Sequence, residues 1–378
     1  MKRFLVLMLA AFMCFALAAC SSDSTESSAS ASEEASAEAT EDAAAEATEE
    51  ASAEATTDDA AAEATEEASA GENADTNAGV NTTGETITVG IINNPPSESG
   101  YREANVKDFE EMFSAENGYD AKTFYSLKND EQLSAAQQFI TDGVDYLLIS
   151  AAETTGWDSV LESAKENGIG VFLFDRMIDT DEDNYEAAVV SDMPAEGDTA
   201  VTWLLEQPLD EYNVVHIQGV MGSDAQLGRT AALDNAAAEG KVNIVVQQTA
   251  SWDEAEAKKI VEAAINSGDS FNVIYAENDG MARGAVAALD EAGITHGTNG
   301  DVIIMGFDTN KWALQELLNG NWNYDGQCSP FQAAAIAEMI MDLENGGTIA
   351  SKKVVSEEKG LDAATITAED VDTYGIGS

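Results

Sequence analysis

From residue 86 to the end of the chain, short apolar runs alternate with stretches in which apolar residues recur at helical spacing. The apolar runs predict buried strands, and the longer periodic stretches predict helices. The expected strands are 86–92, 121–126, 144–150, 170–174, 187–190, 213–218, 242–248, 271–276 and 302–306. The best-bounded helices are expected at 131–141, 159–167, 253–267 and 281–292.

This alternation predicts the fold class. Strands that are apolar throughout and are separated by helices form βαβ units, which build parallel sheets with helices on both faces. There are too many such units for one small sheet. The sequence therefore predicts an α/β protein with more than one parallel sheet.

The first twenty residues have a different pattern. Lys2 and Arg3 precede an apolar run over 4–16, which is shorter than the roughly 20 residues that a membrane-spanning helix requires. This pattern is typical of a secretory signal peptide, expected at 1–19. The ending Leu-Ala-Ala-Cys resembles the lipobox of bacterial lipoproteins, so Cys20 is the expected lipidation site. Ordinary secretion with a free Cys20 thiol is the alternative.

Residues 21–85 are acidic and repetitive. They contain 19 acidic residues, no Lys or Arg and no aromatic residue. Such a segment cannot bury enough apolar surface to offset its conformational entropy, and its like charges repel. We expect 20–85 to be an acylated, disordered tether that holds a folded head away from the membrane.

The net charge excludes one class of partner. The chain has 71 acidic and 17 basic residues, and its formal charge is −54. Affinity for nucleic acid comes mainly from basic groups that displace counterions, so a nucleic-acid-binding protein is excluded. Of the arginines beyond Arg3, Arg283 is expected on an exposed helix face, and three lie at predicted strand ends or just inside the next helix: Arg102, Arg176 and Arg229. We interpret these three as ligand-binding, with structural ion pairs as the alternative.

Polar and aromatic side chains collect in the loops that follow the predicted strands. In open parallel sheets, ligands bind beyond the carboxyl ends of the strands. Carboxylates and amides bond adjacent hydroxyl groups, guanidinium groups bond two oxygens, and flat rings cover the C–H face of a sugar. These loops therefore indicate a small neutral polyol. The candidates are Asn93, Asn94, Glu98, Tyr101, Arg102, Trp157, Asp175, Arg176, Arg229, Trp252, Asn278, Phe307 and Asp308.

Few residues suit catalysis or metal binding. His216 and His296 are the only histidines, and His216 lies inside an apolar strand, where a packed core residue is expected. The sequence has no nucleophile elbow, phosphate-binding loop or dinucleotide fingerprint. The acidic residues of 179–183 resemble the start of a calcium loop, but Asn184 replaces the turn glycine, so we interpret them as a solvated turn. We expect no metal and no cofactor.

Six motifs occur in order: Ser-Glu-Ser-Gly-Tyr-Arg at 97–102, Thr-Gly-Trp at 155–157, Phe-Asp-Arg-Met-Ile-Asp at 174–179, Gly-Val-Met-Gly at 219–222 followed by Arg229, Tyr-Ala-Glu-Asn-Asp at 275–279, and Gly-Phe-Asp at 306–308. Together they resemble the sugar-binding type 1 periplasmic binding proteins of bacterial ABC importers, which include ribose- and galactose-binding proteins. Within this family, the motifs resemble those of the galactofuranose-binding members. The resemblance covers residues 87–343.

The resemblance implies two doubly wound parallel-sheet lobes, joined by a three-crossover hinge that closes over a sugar. The first lobe would combine 86–191 with 328–347, and the second would combine 192–327 with 348–378. Trp252 would stack on the sugar, and Gln327 would reach it from near a crossover. Ring hydroxyls would be bound by Asp175, Arg176, Arg229, Asn278 and Asp308. Tyr101 replaces a tryptophan of the galactofuranose-binding members, so the preferred sugar stays open.

These expectations give a function. The sequence predicts an exported, monomeric solute-binding protein, lipid-anchored by Cys20 to the outer face of the cell membrane. It would capture a monosaccharide, either a furanose such as galactofuranose or another pentose or hexose, and deliver it to the permease and ATPase of an ABC transporter. We expect no enzymatic activity. A sensor for a sugar-like signal and a glycoside hydrolase are the alternatives; the hydrolase would need two carboxylates about 5 to 9.5 Å apart.

Overall fold

The computed structural model describes residues 79–377, so the expected signal peptide, Cys20 and most of the expected tether lie outside the described residues. The strands are β1 (Ile87–Asn93), β2 (Tyr119–Tyr125), β3 (Tyr146–Ile149), β4 (Gly170–Asp175), β5 (Ala187–Val190), β6 (Asn213–Gln218), β7 (Asn243–Thr249), β8 (Val273–Ala276), β9 (Ile303–Phe307), β10 (Tyr324–Gly326), β11 (Lys353–Val355) and β12 (Gly360–Asp362). The α-helices are α1 (Gly100–Met112), α2 (Asn129–Asp142), α3 (Asp158–Glu166), α4 (Met193–Leu205), α5 (Asp224–Ala238), α6 (Glu254–Ser267), α7 (Asp279–Ala292), α8 (Lys311–Leu318), α9 (Ala333–Glu344) and α10 (Ala368–Tyr374). In this part of the chain no helix is both long enough and apolar enough to cross a bilayer.

The strands form two sheets with the same internal order. The first sheet runs β11-β5-β4-β3-β1-β2, and the second runs β12-β10-β9-β8-β6-β7. Every pairing is parallel except that of β10 with β12. The strand order reverses between β1 and β3 in the first sheet and between β6 and β8 in the second, which gives the doubly wound topology. The predicted α/β class with two such lobes is confirmed.

Apolar strands covered on both faces make the two cores. Every residue of β3, β5 and β8 is buried, as expected where helices pack on both sides of a parallel sheet. The nine predicted strands correspond to β1–β9, with bounds that differ by no more than two residues. The three strands that were not predicted, β10, β11 and β12, have three residues each.

The chain crosses between the sheets three times. The first crossover follows β5 and leads into α4, the second joins β10 to α9, and the third joins β11 to β12. The third crossover corrects the predicted lobe boundary, which assigned 348–378 entirely to the second lobe. Lys353–Val355 pairs with β5 in the first sheet, so the crossover lies between Val355 and Gly360. This edge strand was not predicted because Lys353 and Val355 are exposed and leave no apolar run.

The expected tether also ends earlier than predicted. The Gly79 carbonyl is buried and accepts a hydrogen bond from Tyr119 Oη at 2.6 Å. The Asn81 side chain donates to the Gly118 carbonyl at 2.8 Å and accepts from Thr83 N at 2.9 Å. These local bonds attach 79–85 to the first lobe, although the segment has almost no apolar residue to indicate it.

Candidate functional site

Side chains from both sheets and from the second crossover line one cavity at the carboxyl ends of the strands. The cavity has a volume of about 20 Å³, which is room for about one water molecule, so entry of a larger ligand requires its walls to move apart. Its lining residues are Glu98, Ser99, Tyr101, Arg102, Asp175, Arg176, Met193, Ala225, Arg229, Trp252, Asn278, Asp308 and Cys328.

Asp175 is the centre of the first-lobe side of the cavity. Its Oδ1 accepts a hydrogen bond from Tyr101 Oη at 2.8 Å. Its Oδ2 accepts from Arg102 Nη2 at 2.7 Å, from Ser150 Oγ at 2.6 Å and from Arg176 Nε at 3.1 Å. Burial alone would raise the pKa of Asp175, but Arg102 and then Arg176 more than offset it and hold the pKa below its ordinary value. Asp175 is therefore a permanent carboxylate.

Arg102 is held by hydrogen bonds from both its backbone and its side chain. Ser99 begins α1 by accepting from Arg102 N at 3.1 Å, a typical helix cap. The guanidinium also donates to Glu98 Oε2 at 3.1 Å and to Asn93 Oδ1 at 2.8 Å. Arg102 is fully buried, and all three of its guanidinium nitrogens are bonded within the protein. It orients Asp175 rather than offering a free fork to a ligand.

Arg229 has the matching position on the second-lobe side. Both its Nε and its Nη2 lie 2.7 Å from Glu196 Oε2, and Nη1 donates to the Glu277 carbonyl. Its Cζ lies 4.6 Å from the Phe307 ring centroid, within cation–π range. The same Nη2 also lies 3.5 Å from Asp308 Oδ1.

Asp308 differs from Asp175 in its surroundings. Within residues 79–377 its carboxyl accepts no hydrogen bond, and Arg229 is its ion-pair partner. Burial raises the pKa of Asp308 well above its ordinary value, although Arg229 opposes this. The group can therefore accept a hydrogen bond or, when protonated, donate one.

Trp252 closes one side of the cavity. Ser251 and Trp252 have φ values of 53° and 68°, a left-handed conformation that is rare for residues other than glycine. The indole lies on Gly219, where an added Cβ would come within 1.9 Å of Cη2. Its Nε1 is buried and has no hydrogen-bond partner among the described residues. Such a group is normally paired, so Nε1 is an available donor for a ligand.

The cavity thus offers a specific set of unused polar groups. Arg176 uses Nε and Nη1 within the protein, and Nη2 has no partner in the described part of the chain. Asn278 caps α7 with Oδ1 at 2.8 Å from Met281 N, which leaves Nδ2 as a donor. With Trp252 Nε1 and the Asp308 carboxyl, these groups provide several donors and a carboxyl that can accept.

The charges of the cavity are compensated within the protein. Arg102 is paired with Glu98 and Asp175, and Arg229 is paired with Glu196 and Asp308. No guanidinium remains without a carboxylate, since Arg176 also lies beside Asp175. An anionic ligand would find no excess positive charge, whereas a neutral polyol could bond both donors and acceptors.

Comparison with known proteins is decisive for the family. Residues 89–348 match the sequence profile of a family described as a periplasmic binding protein domain. The chain belongs to this periplasmic binding protein family. It is 32% identical to the fructose import binding protein FruE of Bifidobacterium longum, over 74% of this chain and 85% of the relative. It is 30% identical to the galactofuranose-binding protein YtfQ of Escherichia coli, over 72% and 86%.

A solved structure agrees with these relatives. A Mycobacterium smegmatis protein in complex with β-D-fucofuranose is 30% identical and superposes with a TM-score of 0.68. The match covers 74% of this chain and 92% of that one. Family membership makes this chain an extracytoplasmic, sugar-binding protein of the kind that serves ABC transporters.

The structure of this periplasmic binding protein brings most of the candidate residues to one cavity. Nine of them line it: Glu98, Tyr101, Arg102, Asp175, Arg176, Arg229, Trp252, Asn278 and Asp308. They come from both lobes, as the resemblance implies. Their roles in ligand binding stay predictions.

Five other candidates do not line the cavity. Asn93 and Asn94 are buried behind it, where Asn93 accepts from Arg102 and Asn94 donates to Glu98. Trp157 is fully buried in the first-lobe core and donates from Nε1 to the Glu153 carbonyl. Phe307 is a core residue beneath Arg229. Gln327 lines a separate cavity with Glu196 and Glu358.

Four lining residues were not among the candidates: Ser99, Met193, Ala225 and Cys328. Ser99 is the N-cap residue of α1, and Met193 and Ala225 lie in the first turns of α4 and α5. The candidates were chosen from the loops that follow the strands. Including the first turn of the next helix would also have found these three residues. Cys328 lies on the second crossover, where no sequence pattern marks the cavity.

Proposed function

We propose that the protein captures a monosaccharide between its lobes by hinge closure and delivers it to an ABC transporter. The observation that carries this proposal is the cavity itself, where both lobes supply unused donors and a carboxyl to a compact, charge-compensated space. The family and the relatives, all named as binding proteins, support binding over hydrolysis.

The preferred ligand is proposed to be a sugar in the furanose form. The protein in complex with β-D-fucofuranose and the galactofuranose-binding relative support this choice. The Trp252 indole along one side and buried Met193 and Cys328 in the wall would cover the C–H face of such a ring.

Titration calorimetry tests the ligand class. The titrants are D-galactose, L-arabinose, D-fructose and D-ribose, together with methyl β-D-galactofuranoside and methyl β-D-galactopyranoside as locked forms. We expect heat of binding for at least one free sugar and preference for the locked furanoside. Binding of the pyranoside alone would reject the furanose form, and no binding to any of them would reject the proposal. Turnover of aryl glycosides would favour a hydrolase instead.

The proposal includes export and lipid attachment at Cys20, which the leader pattern supports. Metabolic labelling with an alkyne fatty acid should mark the full-length protein in the membrane fraction. A Cys20→Ser variant should lose the label. Equal labelling of both proteins would reject Cys20 as the attachment site.

A further inference from the structure

One carboxyl group connects all three crossovers of the hinge. Glu358 belongs to the third crossover, and its Oε1 accepts a hydrogen bond from Ser191 Oγ of the first crossover at 2.7 Å. The same oxygen accepts from Ser329 N of the second crossover at 2.6 Å. Both bonds to Glu358 therefore depend on the relative positions of the three crossovers.

A second carboxyl lies beside it without a partner for one oxygen. Glu196 is buried, and Oε2 is used by Arg229. Its Oε1 has no hydrogen-bond partner among the described residues. One polar atom from each of Glu196, Glu358 and Cys328 lies within 4.8 Å of the other two, so the two carboxyl groups are neighbours. Two ionised carboxylates at this distance repel each other, and a hydrogen bond between them requires a proton on one of them.

The surrounding charges favour such a proton. Arg229 is the one base that faces the pair within residues 79–377, and it also serves Asp308. Lys359 turns its ammonium towards Asp370 and the Tyr374 ring. The other titratable neighbours are Asp192, Cys328 and Tyr324, none of which adds positive charge. Carboxyl groups therefore outnumber bases around buried Glu196, which favours a proton on one of them.

We propose that Glu196 and Glu358 share one proton, and that this positioning pair holds Arg229 in place at the ligand cavity. Glu196 Oε1 carries the proton and donates to Glu358, while Glu196 Oε2 accepts from Arg229. The pair would transmit the closed geometry of the three crossovers to a guanidinium that lines the cavity. The inference rests on the proposed sugar-binding function.

The pair makes ligand binding dependent on pH. Burial raises the pKa of Glu196 to about 8 despite the opposing effect of Arg229. Opening of the lobes would admit water to Arg229 and Asp308, and the pKa of the pair would fall towards its ordinary value. A carboxyl whose pKa is raised in the closed form favours closure at low pH, and this advantage is lost as pH rises towards 8.

Calorimetry between pH 6 and pH 9 tests this, with the sugar that the wild-type protein binds. We expect wild-type affinity to fall by about tenfold or more between pH 6 and pH 8, and to level off above pH 8. Glu196→Gln and Glu358→Gln each mimic a protonated acid and should bind at pH 7 with a much flatter pH profile. Asp108→Asn is the matched control, because Asp108 also has a pKa raised by burial but lies in the first lobe, where it accepts from Ala333 N. It should keep the wild-type profile.

Two results would overturn the inference. One is a wild-type sugar affinity that does not change with pH. The other is a loss of affinity between pH 6 and pH 8 that the Gln variants retain, because that loss would then come from Asp308. Zinc binding that Glu358→Gln abolishes would replace the proton by a metal and would also overturn it. If the protein binds no sugar, the proposed function fails separately. The pair is then tested by urea unfolding from pH 5 to pH 8, where stability of the wild type should fall relative to Glu196→Gln.

Discussion

Asp175 and Asp308 occupy equivalent positions in the two lobes, at the carboxyl end of the fourth strand counted from the β2 or β7 edge of each sheet. Both have a positive φ, 68° and 104°, which is uncommon outside glycine. The same backbone feature thus aims one carboxyl from each lobe at the cavity. Four donors bind Asp175 and none binds Asp308 within residues 79–377, so the two groups differ in pKa and not in position.

Substitution of Arg176 should separate ligand binding from stability more clearly than substitution of Asp175. Arg176→Ala should lower sugar affinity by about 30-fold or more, because truncation at a buried, charged hydrogen bond costs about 2 kcal/mol or more. Its stability should change little, since Asp175 keeps Arg102 and Ser150 as donors. Calorimetry and thermal unfolding measure both effects. Arg283→Ala, on an exposed ion pair with Glu254, is the control that should bind normally.

Asp175→Ala should abolish binding and also destabilise the fold. This buried carboxylate forms ion pairs with both Arg102 and Arg176. Removing it leaves buried positive charge uncompensated, which typically costs about 3–5 kcal/mol. Urea unfolding should show this loss, and a variant as stable as the wild type would contradict the network.

The Trp252 indole is expected to donate to the ligand as well as cover it. Trp252→Phe keeps an aromatic face and removes Nε1–H, so affinity should fall by about tenfold. In ¹⁵N-resolved NMR, sugar should shift the Trp252 indole signal and slow its hydrogen exchange. Trp157, whose Nε1 already donates to Glu153, provides the control signal that should not move. An unshifted Trp252 signal would show that Nε1 does not donate to the sugar and that the indole only packs against it.

Gln327→Ala should leave sugar affinity within about twofold of the wild type, the range typical of substitutions away from a site. Gln327 lies on the far side of the second crossover, and its backbone N donates to the Lys359 carbonyl at 2.9 Å. Calorimetry with the same sugar decides this. A large loss of affinity would show that Gln327 takes part in ligand binding.

A buried carboxyl pair behind Asp308 should make stability depend on pH. Asp279 and Asp325 each have a buried oxygen without a partner in the described part of the chain. Burial raises the pKa of Asp279 to about 7, and that of Asp325 is also raised by burial and then by Asp279. The stabilisation is complete below the ordinary carboxyl pKa and is lost as pH rises towards 7, by about 1.4 kcal/mol for each pH unit.

Asp279→Asn should flatten this profile between pH 4 and pH 7. The amide oxygen can still accept from Asn310, whose backbone N lies 2.8 Å from Asp279 Oδ2, and the amide nitrogen can donate to Asp325. Urea unfolding at several pH values measures the slope. An unchanged slope would show that Asp279 does not cause the pH dependence of stability.

Prediction from the sequence succeeded where a local pattern determines structure. Apolar runs marked β1–β9, and the rule that ligands bind beyond strand ends found Asp175, Asn278 and Asp308. The short strand β11 was missed because an exposed edge strand needs only backbone pairing and has no apolar signal.

The errors at the site have a similar cause. Trp157 and Phe307 follow or end strands as expected, but their side chains turn into the cores. The positions of Glu196 and Glu358 follow from three crossovers that are distant in sequence and adjacent in space. No spacing in the chain expresses that adjacency, so only the folded structure reveals it.

The buried Gly79 carbonyl, bound to Tyr119, has a mechanical consequence. Gly79 also packs against Ala337 of α9, so two contacts hold this residue to the first lobe. In the tethered protein that we propose, a pull on Gly79 would be carried by these first-lobe contacts, and the proposed closure would not have to break them.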